Sequence, residues 1–325
     1  MKDRVCDVKS SISVLSLNPA VDMTYEIPFL LKNQKAHAIS MRYDPGGNGI
    51  NVGRALKKLQ ILAHNYCVIA GEMGQLLQHL LAEELDVVDY EIVDGETRVN
   101  NTIIEVPSES KAVNTQYEVS GIGPDIPEKQ LNQLLDRFLN FSPGGLAVIT
   151  GSLQQSIPTS LYAELIDRVN VKGGRAIVDT HGETLKLAVK ARPYLIKPNL
   201  HELEVLLNKS LPNLEFVAYE ARLLQRSGIE WVCVSLGETG ALLTNSENSY
   251  YVQSPEVDVV CSVGAGDSMV AALVASLACE HSADEALRLS VACATATVIQ
   301  PGTALFSSAD MKTFYEKILV RKLDI

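Results

Sequence analysis

The sequence predicts an α/β fold: a large, mostly parallel sheet covered by helices, with a small β-sheet inserted from two separate segments. Three observations predict it. The second half of the chain alternates short apolar runs with helical patterns, as βαβ units do. The first half holds four stretches in which polar and apolar residues alternate, which suits an antiparallel sheet with one wet face. The chain has 325 residues. That is about two domains' worth or one large α/β domain, enough to bury a core without disulfide or metal staples.

Taken in chain order, residues 13–17 read as a core strand and 51–59 as a helix. The alternating stretches are 23–27, 36–43, 98–106 and 113–119. They place a lid at about 21–44 and 97–120 within one domain spanning 1–325. A small sheet beside a cleft suits a lid that excludes water. Beyond it come a strand at 146–150, a helix at 158–169 opened by a proline, a strand at 176–179 and a helix at 183–189. A strand at 194–197, a helix at 200–207 and a strand at 231–235 follow. Ser282 and Glu285 form a capping box that opens a helix through Val298.

Composition bounds the function. Hydrophobic residues make up 46% and charged residues 21%, a globular balance. The net charge of −11 argues against a coat for nucleic acid or an anionic membrane, since phosphate backbones attract basic surfaces. It leaves room for a small anionic ligand in a locally basic pocket. The six cysteines, at 6, 67, 233, 261, 279 and 293, have neither C-x-x-C nor zinc spacing and read as buried thiols of a reducing cytoplasm. The first seven residues carry acidic groups and no apolar run, so they do not read as a signal peptide. The longest apolar stretch, 269–279, is too short to span a membrane.

Four motifs can carry chemistry. Gly264-Ala265-Gly266-Asp267-Ser268 opens an alanine-rich helix after an apolar run at 257–263. A glycine-rich helix start presents free N–H groups and the positive dipole end, an anion site; an aspartate there can also be a plain N-cap. Gly46-Gly47-Asn48-Gly49 leads into a second helix and fits neither the dinucleotide fingerprint nor a Walker A loop. Asn199 and Glu202, three apart after Lys197-Pro198, suit a hydrated Mg²⁺ or an ordinary capping box. Ser235-Leu236-Gly237-Glu238-Thr239-Gly240 is a polar strand end of the kind where open α/β sheets bind ligands, or a simple turn. The six histidines form no helical metal pair.

Together with Asn18-Pro19-Ala20-Val21-Asp22, Gly95-Glu96-Thr97-Arg98 and Thr150-Gly151-Ser152-Leu153, these motifs keep one order from residue 15 to beyond 300. In that order the chain resembles the ribokinase/PfkB superfamily of carbohydrate kinases, in its hexose-phosphate branch. The resemblance implies a ribokinase-like three-layer core with a β lid, and transfer of the γ-phosphoryl group of ATP, with Mg²⁺, to a ketohexose phosphate. It implies Asp267 as the base and the backbone of Gly264, Ala265 and Gly266 as the anion hole. Lys197, Asn199, Ser235, Gly237 and Gly240 would serve the nucleotide, and Asn199 with Glu202 the metal. Asp22, Lys35, Gly47, Asn48, Asn51, Arg98 and Ser152 would hold the acceptor, Arg98 gripping its phosphate. A homodimer joined through the lid and a monomer with a free lid edge are both compatible with it.

The chain departs from the branch pattern in places. Asn48 stands where many relatives carry lysine, Glu118 where the minor phosphofructokinase has a second arginine, and Gln154 where a proline is usual. Fructose-6-phosphate, fructose-1-phosphate and tagatose-6-phosphate therefore all stay open as acceptors. So do a kinase for an unphosphorylated sugar or nucleoside, and a non-catalytic sugar-phosphate sensor on the same scaffold.

Overall fold

The computed structural model describes residues 10–106 and 115–324. A ten-stranded sheet forms its middle. Its strands are β1 (Ile12–Ser16), β4 (His64–Ala70), β5 (Val87–Val93), β8 (Leu146–Thr150), β9 (Arg175–Asp179), β10 (Leu195–Ile196), β11 (Trp231–Ser235), β12 (Ala241–Thr244), β13 (Ser249–Val252) and β14 (Val320–Leu323). Their order is β14-β13-β12-β11-β10-β9-β8-β1-β4-β5. Pairings from β5 across to β11 are parallel. The three pairings from β11 to β14 are antiparallel.

Strand alternation feeds two cores. Ile12, Val14, Leu146 and Val148 point to one face, where they meet α1 (Asn48–Lys58), α8 (Ala265–Ala278), α9 (Ala283–Val298) and α10 (Ser308–Lys317). Leu15, Ala147 and Ile149 point to the other, against α3 (Glu128–Phe138), α4 (Leu161–Val171), α5 (Gly182–Lys190), α6 (Leu200–Leu207) and α7 (Leu214–Arg226). Helices on both faces of a mostly parallel sheet make the three-layer α/β core the sequence predicts. From Asp267 to Ala278 helix α8 is buried on every side, as its alanine-rich composition demands. No described helix is long and apolar enough to cross a membrane.

The small sheet has the order β3-β2-β6-β7, from β2 (Ala20–Ile27), β3 (Ser40–Gly46), β6 (Arg98–Glu105) and β7 (Thr115–Val119). One expectation changes here. The central pair β2–β6 is parallel, because both strands leave the core at the same end, with Ala20 opposite Arg98. Its two flanking pairs are antiparallel. Cross-strand register sorts most of its side chains by polarity, with Asn101 and Glu105 set on the apolar side and Ile104 on the polar one. Met23, Tyr25, Met41, Tyr43, Ile103, Tyr117 and Val119 share one face; Asp22, Thr24, Arg42, Asp44, Asn100, Thr102 and Glu118 share the other.

Other differences are local. The first half also contributes β4, α2 (Gly71–Leu81) and β5 to the core, a unit the sequence reading passes over. The second alternating stretch becomes a strand only from Ser40, and the fourth is described from Thr115, residues 113 and 114 lying outside the described part. The proline-opened helix begins at Leu161, three residues after Pro158. The run 257–263 forms no strand. Cys67, Cys233, Cys261 and Cys293 are buried free thiols. Cys279 is not free, a departure from the sequence reading, and Cys6 lies outside the described residues.

Candidate active site

The loops at the carboxyl ends of the parallel strands converge on the first turn of α8, the place where open α/β sheets bind ligands. Gly264 caps that helix in the left-handed region, φ 83°. A Cβ there would sit 2.6 Å from Leu305 Cδ2, so the turn needs glycine twice over. The turn leaves the N–H groups of α8's first residues without helical acceptors and aims the positive dipole end outward.

Two cavities of similar size meet at this turn. One, of about 470 Å³, is walled by Asp22, Gly47, Asn48, Asn51, Arg98, Asn100, Glu118, Ser152, His181, Gly264, Asp267 and Thr303. The other, of about 480 Å³, is walled by Asn199, Ser235, Gly237, Gly240, Ala265 and Gly266 and by the apolar side chains of Val257, Val259, Met269, Val291, Ala294 and Val298. Asp267 faces the first, Gly266 the second, and one helical turn separates them.

Asp267 is buried, 5% exposed. Each carboxylate oxygen accepts one amide N–H, Oδ1 from Asn48 Nδ2 and Oδ2 from Asn51 Nδ2, both at 2.9 Å. Burial pushes its pKa up to about 7, with the Asp179 charge adding to the rise; the amide donations and Lys197 oppose it. A carboxylate with that proton affinity is poised to take a proton near neutrality.

Lys197 stands behind the glycine turn. Its Nζ is 3.2 Å from Asp179 Oδ1 in a buried ion pair, and a methyl on Gly266 would lie 3.5 Å from it. Burial disfavours its charge, but Asp179 and Glu202 outweigh that and hold it protonated. It does not line the nucleotide-sized cavity; it supplies positive potential from beneath. Asn199 and Glu202 form a complete capping box on α6: Glu202 N–H donates to Asn199 Oδ1, and Asn199 N–H donates to Glu202 Oε2, both at 2.8 Å. The plain reading of that motif is therefore realised, and the Glu202 charge also acts on Lys197.

The polar face of the small sheet supplies the first cavity's far wall. Asp22 accepts from Asn100 Nδ2 at 2.8 Å. Burial raises its pKa, opposed by Asn100 and Arg98. Gly46 lies so close that a Cβ there would come within 2.1 Å of the Asp22 carboxylate. Arg98 donates from Nε to the carbonyl of Asn18 at 3.0 Å, which fixes the guanidinium at the cavity wall. Burial lowers its pKa, with Asp22 opposing. Asn18 Nδ2 in turn donates to Ser152 Oγ at 3.2 Å.

The fold thus brings together all but three of the residues singled out from the sequence. Lys197 lies behind the site, Glu202 lines neither cavity, and Lys35 sits on an exposed loop and lines neither. Asn100, His181 and Thr303 line the first cavity without having been singled out. Asn100 had a signal, a polar side chain on the alternating strand that carries Arg98. His181 and Thr303 arrive from chain segments with no local mark.

Three comparisons bear on this geometry. A family model described as pfkB family carbohydrate kinase matches residues 12–310. The chain is 34% identical to the ATP-dependent 6-phosphofructokinase isozyme 2 of Escherichia coli (strain K12), covering 94% of this chain and 97% of that protein. It is 31% identical to the 1-phosphofructokinase of Bacillus subtilis (strain 168), covering 88% and 92%. Among solved structures, phosphofructokinase-2 from Escherichia coli in complex with substrates and products superposes with TM-score 0.89 at 34% identity, over 94% of this chain and 99% of that one. With most of its length matched by the family model, and two cavities meeting at its glycine-rich turn, the chain belongs to the pfkB family of carbohydrate kinases.

Proposed function

We propose that the protein transfers the γ-phosphoryl group of ATP to a free hydroxyl of a ketohexose phosphate, among fructose-6-phosphate, fructose-1-phosphate and tagatose-6-phosphate, to give a bisphosphate. The observation that carries this reading is the meeting of two cavities at one helix start, with a buried carboxylate on one side and an arginine fork across from it. In this reading the 470 Å³ cavity takes the acceptor and the 480 Å³ cavity the nucleotide.

Asp267 accepts the proton of the attacking hydroxyl, late in the transfer, while Asn48 and Asn51 hold its carboxylate in line. The N–H groups of Gly264, Ala265 and Gly266 receive the charge that gathers on the transferred group, where fixed dipoles act most strongly. Arg98 and Ser152 hold the acceptor's own phosphate, as a guanidinium fork suits a phosphate dianion. Asp22, supported by Asn100, and the Gly47 backbone hold sugar hydroxyls. Val257, Val259, Val291 and Val298 give the nucleobase an apolar slot, and Ser235, Gly237 and Gly240 give its sugar and phosphates a polar edge.

Among the described residues no group of three or more His, Cys, Asp or Glu could hold a metal by itself. Asn199, in the wall of the second cavity, and Glu202 at the same helix start are the residues that would help hold Mg²⁺ carried in on phosphates. When bound, the ion neutralises charge on the phosphates. Lys197 does the same from behind the loop. The small sheet is the lid of the acceptor site. Its exposed apolar face, with Met41 52% and Tyr117 41% exposed, supports a homodimer joined through the lid. The four buried thiols suit the cytoplasm as its location.

The test is a kinase assay against the three ketohexose phosphates and their unphosphorylated parents, for the natural chain and for Arg98→Ala. A phosphorylated acceptor should be preferred, and Arg98→Ala should raise its KM by about 10- to 100-fold, the loss of a charge-assisted contact, with the KM for ATP unmoved. Equal use of phosphorylated and free sugars by both proteins would overturn the reading.

A further inference from the structure

The amide that steadies Asp267 is itself held from behind. Asn51 Nδ2 donates to Asp267 Oδ2, and Asn51 Oδ1 accepts from Arg54 Nη1 at 3.3 Å. The same Nη1 donates to the carbonyls of Pro45 at 2.9 Å and Thr303 at 3.0 Å. Arg54 Nε donates to Glu84 at 3.0 Å, and the Arg54 side chain is 2% exposed. One buried guanidinium therefore joins the base's partner, the foot of lid strand β3 at Pro45, the acceptor-cavity wall at Thr303, and a surface carboxylate.

An amide has a choice that this contact removes. Half a turn about its last bond exchanges oxygen for nitrogen. Flipped, Asn51 would set its oxygen against the Asp267 carboxylate, acceptor to acceptor. Arginine only donates, so the oxygen of Asn51 must face Arg54 and the nitrogen must face Asp267. We propose that Arg54 is a positioning residue for phosphoryl transfer: it locks the Asn51 amide in the orientation that donates to Asp267 and ties that amide to the lid's foot and the acceptor wall. The proposal rests on the reading of Asp267 as the base.

A double-mutant cycle tests it. Arg54→Lys keeps the charge but loses the fork. We expect kcat to fall about tenfold to a hundredfold, the cost of a displaced catalytic group, with both KM values within about threefold. The acid limb of kcat should move to higher pH, because a carboxylate that loses a donated hydrogen bond binds its proton more tightly. The charges that act on Asp267 are Asp179 and Lys197, and the titratable groups sharing its cavity are Asp22, Arg98, Glu118 and His181; all are unchanged in this variant, so the limb reports the amide. In an Asn51→Ala background Arg54→Lys should cost nothing further, since its route to the base is already gone. Binding of a non-hydrolysable ATP analogue, equal to that of the natural chain, checks the fold. Glu84→Ala, which removes the acceptor of Arg54 Nε and so releases Arg54 from the surface side, is the second arm, with the same signature at smaller size; it carries the test if Arg54→Lys does not fold. Losses that multiply in the double variant, or an acid limb that stays in place, would overturn the proposal while leaving the base reading intact. An Asp267→Asn protein that keeps near-full turnover would overturn both.

Discussion

The cavities proposed for the acceptor and the nucleotide are almost equal in volume, about 470 and 480 Å³, and differ in construction. The acceptor wall is made of side chains that hold one another: Asp267 by Asn48 and Asn51, Asp22 by Asn100, Arg98 by the carbonyl of Asn18. The nucleotide wall is largely glycine backbone and aliphatic surface, with Asn199, Ser235, Ser254 and Thr295 among its few polar side chains. The difference teaches where each ligand's selectivity resides. On the acceptor side it lies in the identity of particular polar groups, so single substitutions act steeply. On the nucleotide side it lies in shape, so volume changes act and polar swaps do less.

Breaking that contrast starts at Asp267. Asp267→Asn should lower kcat by about 10²- to 10⁴-fold, the range for loss of a general base, while ATP-analogue affinity measured by calorimetry stays put. An equal loss of nucleotide affinity would mean the two cavities are not separable. On the other wall, Ala294→Leu adds volume to the apolar slot. It should raise the KM for ATP about tenfold, as overpacking of about 1–3 kcal/mol implies, and leave the acceptor KM alone. A shifted acceptor KM would break the comparison from that side.

The pH profile sharpens it further. Burial raises Asp267 to about 7, so kcat should fall roughly tenfold per unit below that pH while nucleotide affinity stays flat. The same shift acts on stability. The folded pKa lies above the ordinary carboxylate value of 3.8, so folding is favoured by the protonated form at low pH. That contribution is lost as pH rises through about 7. Asp267→Asn should therefore raise Tm at pH 8 by a few degrees, and the gain should shrink toward pH 5. A Tm difference that does not change with pH would show that burial is not the cause of the shift.

Much of this site is legible in the sequence because its anchors are local. Gly264 to Asp267, Gly46 to Asn51, and Asn199 with Glu202 are each a strand end or loop passing into a helix, and a helix start has a recognisable composition. Their convergence follows from topology, since parallel strands put all their helix starts on one edge. The parallel β2–β6 pairing was not legible, because alternation reports a wet face and says nothing of strand direction. The unit β4-α2-β5 escaped because His64, Asn65 and Asp89, Glu91 break the apolar runs that mark buried strands. Arg54 reads as an ordinary charge on the first half's helix. Its burial against Pro45, Asn51 and Thr303 depends on a contact 249 positions along the chain, which no local window contains.

The parallel pair at the centre of the small sheet has a mechanical meaning. Ala20, Gly46 and Arg98 stand in register, so the chain crosses between core and small sheet repeatedly along one line. Asp22 is two residues from that line and Ile27 seven, roughly 7 and 23 Å of extended strand. In the lid role proposed for it, the sheet would be a lever pivoted beside its load. A swing that carries the tip through about 6 Å moves the Asp22 carboxylate by only about 2 Å, by simple proportion along a stiff strand. Labels, insertions or partner contacts at the tip can then report or bias closure with large travel, while the groups nearest the sugar stay close to their working positions.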